Sequence, residues 1–247
     1  MLLVSTAADL YWLGRYFSRS QALVELLLAS LNKPTVENLG VPLSITGTWQ
    51  HYYQQYTALS PEGLAEFFVV AHHPSSLSAC LEATRVDAQA TRGRMTDTLW
   101  ISINRVWLEW QERTQRIGVY SDHVALYQWL HQALAEIRQL IDSTSDVAVY
   151  NLLQIGMLIE TLDDALRKLM TPDVSAPACA DIVQTAQALA HELQRLDSPL
   201  WHNSRQAGQH VLALCQAVPE HTALSSAREI QHGLQTLTQC LTEAFAT

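Results

Sequence analysis

Two pairs of arginines lie at helical spacing in the first half of the chain. Arg15 and Arg19 are four residues apart, and Arg85 and Arg92 are seven residues apart. Because successive residues of an α-helix turn by about 100°, the two members of each pair fall on one side of their helix. A guanidinium group binds a carboxylate or a phosphate through two parallel hydrogen bonds. The spacing therefore indicates either an anion-binding site or ion pairs that fix the packing of helices.

A third polar cluster follows near residue 160. Glu160, Asp164 and Arg167 share one face of a predicted helix. If this helix meets the two that carry the arginines, Glu160 pairs with the arginines, or the arginines hold an anion in the interior. The alternative is that Asp163–Arg167 and Asp164–Lys168 are surface pairs one turn apart, each contributing only about 0.2–0.5 kcal/mol. A structural ion-pair network and a ligand site both remain open.

A row of large side chains lies between the two arginine-bearing regions and the cluster near residue 160. Trp100, Ile103 and Trp107 recur at helical spacing, which is typical of a core-facing helix side rather than of a platform for stacking a ligand. Asn104 follows Trp100 by one turn. We interpret Asn104 as a hydrogen-bonding residue that ties helices together, with a role in a site as the alternative.

Motifs of metal binding and nucleophilic catalysis are missing from the sequence. His72 and His73 are adjacent, but no HExxH and no matching Cys/His spacing occurs, so no metal site is predicted. No GxSxG, GxxxxGK[ST] or GxGxxG is present either, and a self-contained hydrolase, P-loop or Rossmann protein is not supported. The cysteines lie far apart without a CxxC pair and are expected to be free, buried thiols: Cys80, Cys179, Cys215 and Cys240.

The composition of the 247-residue chain excludes several classes of protein. Its residues are 48% apolar and 16% charged, whereas a disordered chain is poor in apolar residues. The 15 basic residues are scattered among 24 acidic ones, so nucleic acid and membrane surfaces are not expected partners. The longest apolar run, Phe67–Ala71, has five residues, far fewer than a membrane helix needs. Without a basic leader before an apolar segment, a cytoplasmic protein is expected.

The elements that must position these residues are predicted to be helices throughout. Only 9 Gly and 8 Pro occur, and strand-length alternation with a hairpin turn is missing. We predict an all-α fold, a bundle of about eight helices in one domain over residues 1–247. Residues 33–60 are predicted to form a long irregular loop with a short helix. The aromatic residues of this loop either form a docking surface or pack on their own bundle: Trp49, Tyr52, Tyr53 and Tyr56.

Two glycines occupy matching places within predicted helices. Gly14 and Gly156 each lie mid-helix, where glycine costs about 1 kcal/mol relative to alanine. The close approach of another backbone or a bulky ring best explains such a choice. Its repetition suggests that the two helices pack in similar ways, although coincidence between two amphipathic helices is an alternative.

Three blocks of the sequence resemble the bacterial alpha-E family, all-helical proteins named for a Glu-Arg pair. Residues 11–16 read YWLGRY, as in the opening motif of the family. Residues 73–104 resemble its NPSS…AREN.R..R……W…N segment, and residues 156–167 resemble its LGR..ERAD…R helix. The blocks follow one another in the family's order over residues 11–167.

Departures from these motifs identify the chain as a divergent member. Ser18 stands where the family has the Glu of its pair, and Met157 and Thr161 stand where it has arginines. Val86, Asp87 and Gln89 replace Glu, Asn and Arg in the middle block. The ligand- or partner-binding positions implied by the resemblance are Arg15, Arg19, Arg85, Asp87, Arg92, Trp100, Asn104, Glu160, Asp163 and Arg167.

The resemblance also implies a functional setting. Alpha-E proteins are generally encoded beside, or fused to, circularly permuted ATP-grasp proteins, and often near transglutaminase-like proteins. This implies a non-catalytic helical subunit that shapes or completes the site of an ATP-dependent amide ligase, in the biosynthesis of a small molecule or peptide. No intrinsic cofactor is expected, because ATP and Mg²⁺ would be bound by the partner ligase. The alternatives are an enzyme of amide ligation or group transfer that uses the Arg/Glu network, and a structural homo-oligomer.

Overall fold

The computed structural model describes residues 2–70, 73–116, 120–171, 174, 177–217 and 223–246. In these residues every regular element is helical, which confirms the predicted all-α class. The described residues form eleven α-helices and one short 3₁₀-helix, Pro199–Trp201, so the predicted count of about eight is too low. The α-helices are α1 (Val4–Asn32), α2 (Val36–Thr46), α3 (Trp49–Gln55), α4 (Pro61–Val70), α5 (Leu77–Thr91), α6 (Asp97–Thr114), α7 (Tyr120–Asp142), α8 (Val147–Met170), α9 (Cys179–Gln194), α10 (His202–Gln216) and α11 (Ala223–Phe245).

Short polar side chains begin several of these helices. Ser76 accepts a hydrogen bond from the backbone N–H of Ala79 at the start of α5. Thr96 accepts one from Leu99 at the start of α6. Such caps satisfy backbone donors that lack a partner within the helix. Among the described residues, no helix has both the length and the apolar character required to cross a bilayer.

Residues 33–60 form two helices in place of the predicted irregular loop. α2 begins after Thr35, whose side chain accepts a hydrogen bond from the N–H of Asn38, and ends at Gly47, whose φ of 68° is left-handed. Pro42 lies inside α2, where it removes one backbone hydrogen bond without ending the helix. The prediction of a long irregular loop with one short helix is therefore wrong in its extent: α2 accommodates Pro42 and has a cap at each end.

Most aromatic residues of α3 and of its C-terminal cap pack within the protein. Tyr52 is fully buried, and its ring centre lies 5.3 Å from that of Phe67 in α4. Tyr56 stacks on Tyr52 at 4.8 Å. Of the four aromatic residues proposed as a docking surface, Tyr53 alone is exposed. Packing on their own bundle is the alternative that these contacts support.

The described chain divides into two compact units. The first unit comprises Met1–Arg15 and Ser145–Thr247, and the second unit comprises Tyr16–Thr144. In the first unit each of the helices α8 to α11 contacts the next, and α11 contacts α8. In the second unit α4 to α7 close a ring of four in the same manner. Each unit therefore contains a four-helix bundle, and one domain over residues 1–247 stays a prediction.

In the first unit, α1 and α8 cross at the two mid-helix glycines. A Cβ atom on Gly14 would clash with the backbone carbonyl of Leu153. A Cβ atom on Gly156 would clash with the carbonyl oxygen of Tyr11 and lie 3.2 Å from the Cα of Gly14. The predicted close backbone approach is therefore present at both positions. The two glycines are the opposing sides of one crossing rather than members of two similar contacts.

Gly156→Ala should destabilise the protein by at least about 2 kcal/mol, because the added methyl group meets backbone atoms of α1 rather than a flexible side chain. Urea unfolding followed by circular dichroism measures this loss. Gly93→Ala is the matched control, since nothing lies within 4 Å of a Cβ atom there. The control should be neutral or slightly stabilising. Equal stability of the Gly156→Ala variant and the wild type would contradict the close crossing.

Candidate functional site

The first unit buries an ion pair between α1 and α8. Nε of Arg15 donates a hydrogen bond to Oε2 of Glu160 over 2.7 Å, and Nη1 donates to the Tyr11 hydroxyl over 3.0 Å. The side chains of Arg15 and Glu160 are only 10% and 8% exposed. The guanidinium carbon also lies 5.6 Å from the centre of the Trp12 ring. The predicted pairing of Glu160 with an N-terminal arginine is thus present at Arg15.

The charge of Arg15 is maintained despite its burial. Desolvation lowers the pKa of Arg15, because it disfavours the charged form. The Glu160 carboxylate and the Tyr11 hydroxyl raise it, and the net effect is a pKa above the ordinary arginine value. The guanidinium therefore remains charged at physiological pH, and the Glu160 carboxylate compensates that charge. Removing either partner would leave an uncompensated charge away from water.

A cavity of about 470 Å³ opens beside this ion pair. Its volume lies within the range of about 300–1,000 Å³ that is usual for small-molecule sites. We call it the α8–α11 cavity, because these helices supply most of its walls and Arg15 reaches it from α1. It is lined by Arg15, Ile159, Asp163, Arg167, Gln231, Leu234, Gln235, Thr238, Gln239 and Thr242.

α8 and α11 run in opposite directions along the cavity. The rings of Phe245 and Tyr11 lie 5.4 Å apart, and the Tyr11 carbonyl lies against Gly156, so the end of α11 is near the middle of α8. From that end the lining residues of α8 proceed from 159 to 167, while those of α11 return from 242 to 231. Eleven residues of an α-helix span about 16 Å, so the cavity is an elongated groove.

Asp163 and Arg167 form a second ion pair in the wall of the cavity. Nε and Nη2 of Arg167 each lie 2.9 Å from Oδ2 of Asp163. The side chain of Arg167 is 42% exposed, whereas that of Asp163 is 14% exposed. Lys168 and Asp164 pair at 2.6 Å, but neither lines the cavity. Both pairs anticipated at one-turn spacing are thus present, and only the first faces the groove.

The second unit contains the other predicted site residues, and two of these are in direct contact. Nε of Arg85 on α5 donates to Oδ1 of Asn104 on α6 over 2.8 Å, so Asn104 ties these helices together. Asp87 and Trp100 are half-buried. Arg92 is exposed at the C-terminal cap of α5. Arg85 and Arg92 therefore differ in burial, although the sequence places them on the same helix side.

Ser18 and Arg19, which follow the YWLGRY motif on α1, also belong to the second unit. The Arg19 guanidinium carbon lies 5.8 Å from the centre of the Tyr16 ring, and the side chain is half-buried. Ser18, which replaces the family's glutamate, is buried. On α6, Ile103 is buried and Trp107 half-buried, as expected for a helix side that faces the core.

The sequence interpretation overlooked the polar face of α11. Gln231, Gln235 and Gln239 follow one another at four-residue intervals and line the cavity, as do Thr238 and Thr242. The available signal was this spacing, which places like side chains on one helix face. Uncharged amides and hydroxyls match no catalytic or metal-binding motif and do not titrate near neutral pH.

Metal ligation has little support in the part of the chain that the structure describes, where no three His, Cys, Asp or Glu side chains form a cluster suited to an ion. His72 lies outside the described residues. The His73 ring stacks on those of Phe67 and His51 at 4.9 and 5.8 Å. Burial, and then His51, lower the pKa of His73. Nδ1 of His73 accepts a hydrogen bond from the N–H of Ser75, as a neutral imidazole can.

An all-helical protein is thus defined, with its motif residues on α1, α5, α6 and α8. The Alpha-E family, described as a predicted alpha-helical domain with a conserved ER motif, matches residues 2–218. The chain belongs to the Alpha-E family, and the resemblance of the three blocks is confirmed. No curated protein and no solved structure matches it.

Replacing one partner of the buried pair should destabilise the protein by about 3 kcal/mol or more, because the other charge is left uncompensated. We expect losses of this size for Arg15→Met and for Glu160→Gln in urea unfolding. The double variant should lose less than the sum of the two, because the interaction can be lost only once.

Arg116→Met provides the control for this double-mutant cycle. It removes the ion pair between Arg116 and Glu112, whose side chains are 76% and 59% exposed, respectively. The loss should be no more than about 0.5 kcal/mol. Strictly additive losses for Arg15→Met and Glu160→Gln would show that the two charges are not coupled.

Proposed function

We propose that this chain is a non-catalytic helical partner subunit of an ATP-grasp-type amide ligase, acting in the cytoplasm in the biosynthesis of a small molecule or peptide. The observation that carries the proposal is the α8–α11 cavity. Its lining offers amide, hydroxyl and paired charged groups that bind a ligand, and the hydroxyls of Thr238 and Thr242 already donate their hydrogens within α11. Such a surface holds and orients a substrate while another protein performs the chemistry.

The division of labour follows from the family's association with circularly permuted ATP-grasp proteins. In the proposed complex, the ligase binds ATP and Mg²⁺ and activates a carboxylate, and the helical subunit presents or encloses a substrate beside the ligase. A transglutaminase-like protein is a further proposed partner. Neither nucleic acid nor a membrane is needed for this role, and self-association remains open.

An enzyme of amide ligation or group transfer is the second candidate. The observation that favours it is the position of Arg15, which lines the cavity while its charge is fixed by Glu160. A preorganised guanidinium stabilises negative charge that develops on a carboxylate or phosphate in a transition state. The two candidates differ in whether the isolated chain turns over ATP.

We expect ATP turnover, followed as ADP or AMP release, only when the chain is mixed with its co-encoded ATP-grasp protein. Thr238→Trp fills the cavity and should reduce turnover by the pair at least about tenfold, a barrier increase of about 1.4 kcal/mol. Thr236→Trp is the matched control on the same helix, since Thr236 is exposed and does not line the cavity.

Three outcomes distinguish the candidates. Turnover by the isolated chain would support the enzyme and contradict the accessory role. Equal ATP turnover by the ligase with the Thr238→Trp variant and with the Thr236→Trp variant would contradict a role of the cavity in the activity. A ligase whose activity is unchanged by adding the chain would overturn the proposal of a partner subunit.

A further inference from the structure

The cavity face of α11 presents a row of side-chain amides with spare hydrogen-bonding capacity. The side-chain amides of Gln231 and Gln235 make no hydrogen bond to any residue that the structure describes, and that of Gln239 donates one N–H to Oε1 of Glu243 over 2.9 Å. Each carboxamide has two donor hydrogens and an acceptor oxygen. The row can therefore both donate to and accept from a ligand.

Two threonine hydroxyls add acceptors to the same wall. Oγ1 of Thr238 donates to the carbonyl of Leu234, and Oγ1 of Thr242 donates to the carbonyl of Thr238. Because each hydroxyl hydrogen is bound within α11, the oxygen lone pairs are left for a donor in the cavity. Donors and acceptors are thus both available along about 16 Å of helix.

The charges around the cavity are already paired. Arg15 is bound to Glu160, and Arg167 is bound to Asp163. The lining residues within the described part of the chain include no aromatic ring on which a nucleobase could stack. Neutral groups that offer both a donor and an acceptor fit this lining better than a free anion or a nucleotide does.

The spacing of the amides matches an extended peptide. Residues four apart on an α-helix are about 6 Å apart along its axis, and alternate residues of an extended chain are about 6.6 Å apart. Over the three glutamines the mismatch is only about 1.2 Å, which a flexible glutamine side chain absorbs. An extended peptide backbone can therefore lie along α11. Every other peptide group of that backbone would then contact one glutamine.

We infer that the α8–α11 cavity binds an extended peptide backbone, or a peptide-like chain of amides, through Gln231, Gln235 and Gln239. The inference deepens the proposed function, because it gives the cavity of the partner subunit a substrate class. Recognition through backbone amides leaves the side chains of the peptide unspecified. The chain would thus hold a growing or accepting amide chain for the ligase.

Peptide binding to the isolated chain, with no ligase present, tests this inference. The probe is acetyl-pentaalanine-amide, which has amides but no charge, titrated into protein labelled with ¹⁵N in its glutamine side chains. The amide resonances of Gln231, Gln235 and Gln239 should shift in NMR spectra, while that of Gln187, exposed on α9, should not. The same peptide N-methylated at its second and fourth residues lacks two donors and should bind more weakly.

Gln235→Leu should weaken binding of the pentaalanine probe by about threefold to tenfold, the effect of losing one or two modest hydrogen bonds. The residue is exposed, so the fold should be retained, and Gln187→Leu is the matched control. No shift at the three glutamines, or equal binding of the N-methylated peptide, would overturn the inference. Because this readout is independent of ATP turnover, its failure is distinguishable from failure of the partner-subunit proposal.

Discussion

Where Gly14 meets Gly156, the backbones of α1 and α8 approach more closely than any side chain would permit. Two consequences follow for the first unit. Arg15, the next residue of α1, can reach Glu160 on α8, and Tyr11, one turn earlier, contacts both α8 and the end of α11. Tyr11 thus links the middle of α8 to the end of α11, next to the groove between these two helices.

A buried ion pair contributes little net stability to the contact between two helices, since desolvation offsets much of its Coulomb attraction. Arg15 and Glu160 are nevertheless almost fully buried, and Arg15 forms part of the lining of the cavity. An apolar pair of similar volume could hold the helices as well. The charged pair instead fixes the direction of a guanidinium beside the groove, which suits a site that must position a polar ligand.

Local signals in the sequence predicted much of the fold but not its assembly. The scarcity of Gly and Pro indicated helices, whereas α2, which contains Pro42, was predicted as part of an irregular loop. The pairing of Glu160 with Arg15 depends on which helices cross, a non-local property that periodicity does not encode. The glutamines of α11 escaped notice for a different reason: a groove gives meaning to neutral amides only after two helices have formed its walls.

The central proposal is that the groove between α8 and α11 of this Alpha-E protein holds a substrate for the proposed ligase partner. Hydrogen exchange tests it most directly, with the chain measured alone and then with the proposed ATP-grasp partner, ATP, Mg²⁺ and the amide product. Occupation of the groove predicts slower exchange in residues 159–167 and 231–242, because a bound ligand stabilises both walls against local opening. Unchanged exchange in both segments, while turnover proceeds, would contradict the claim.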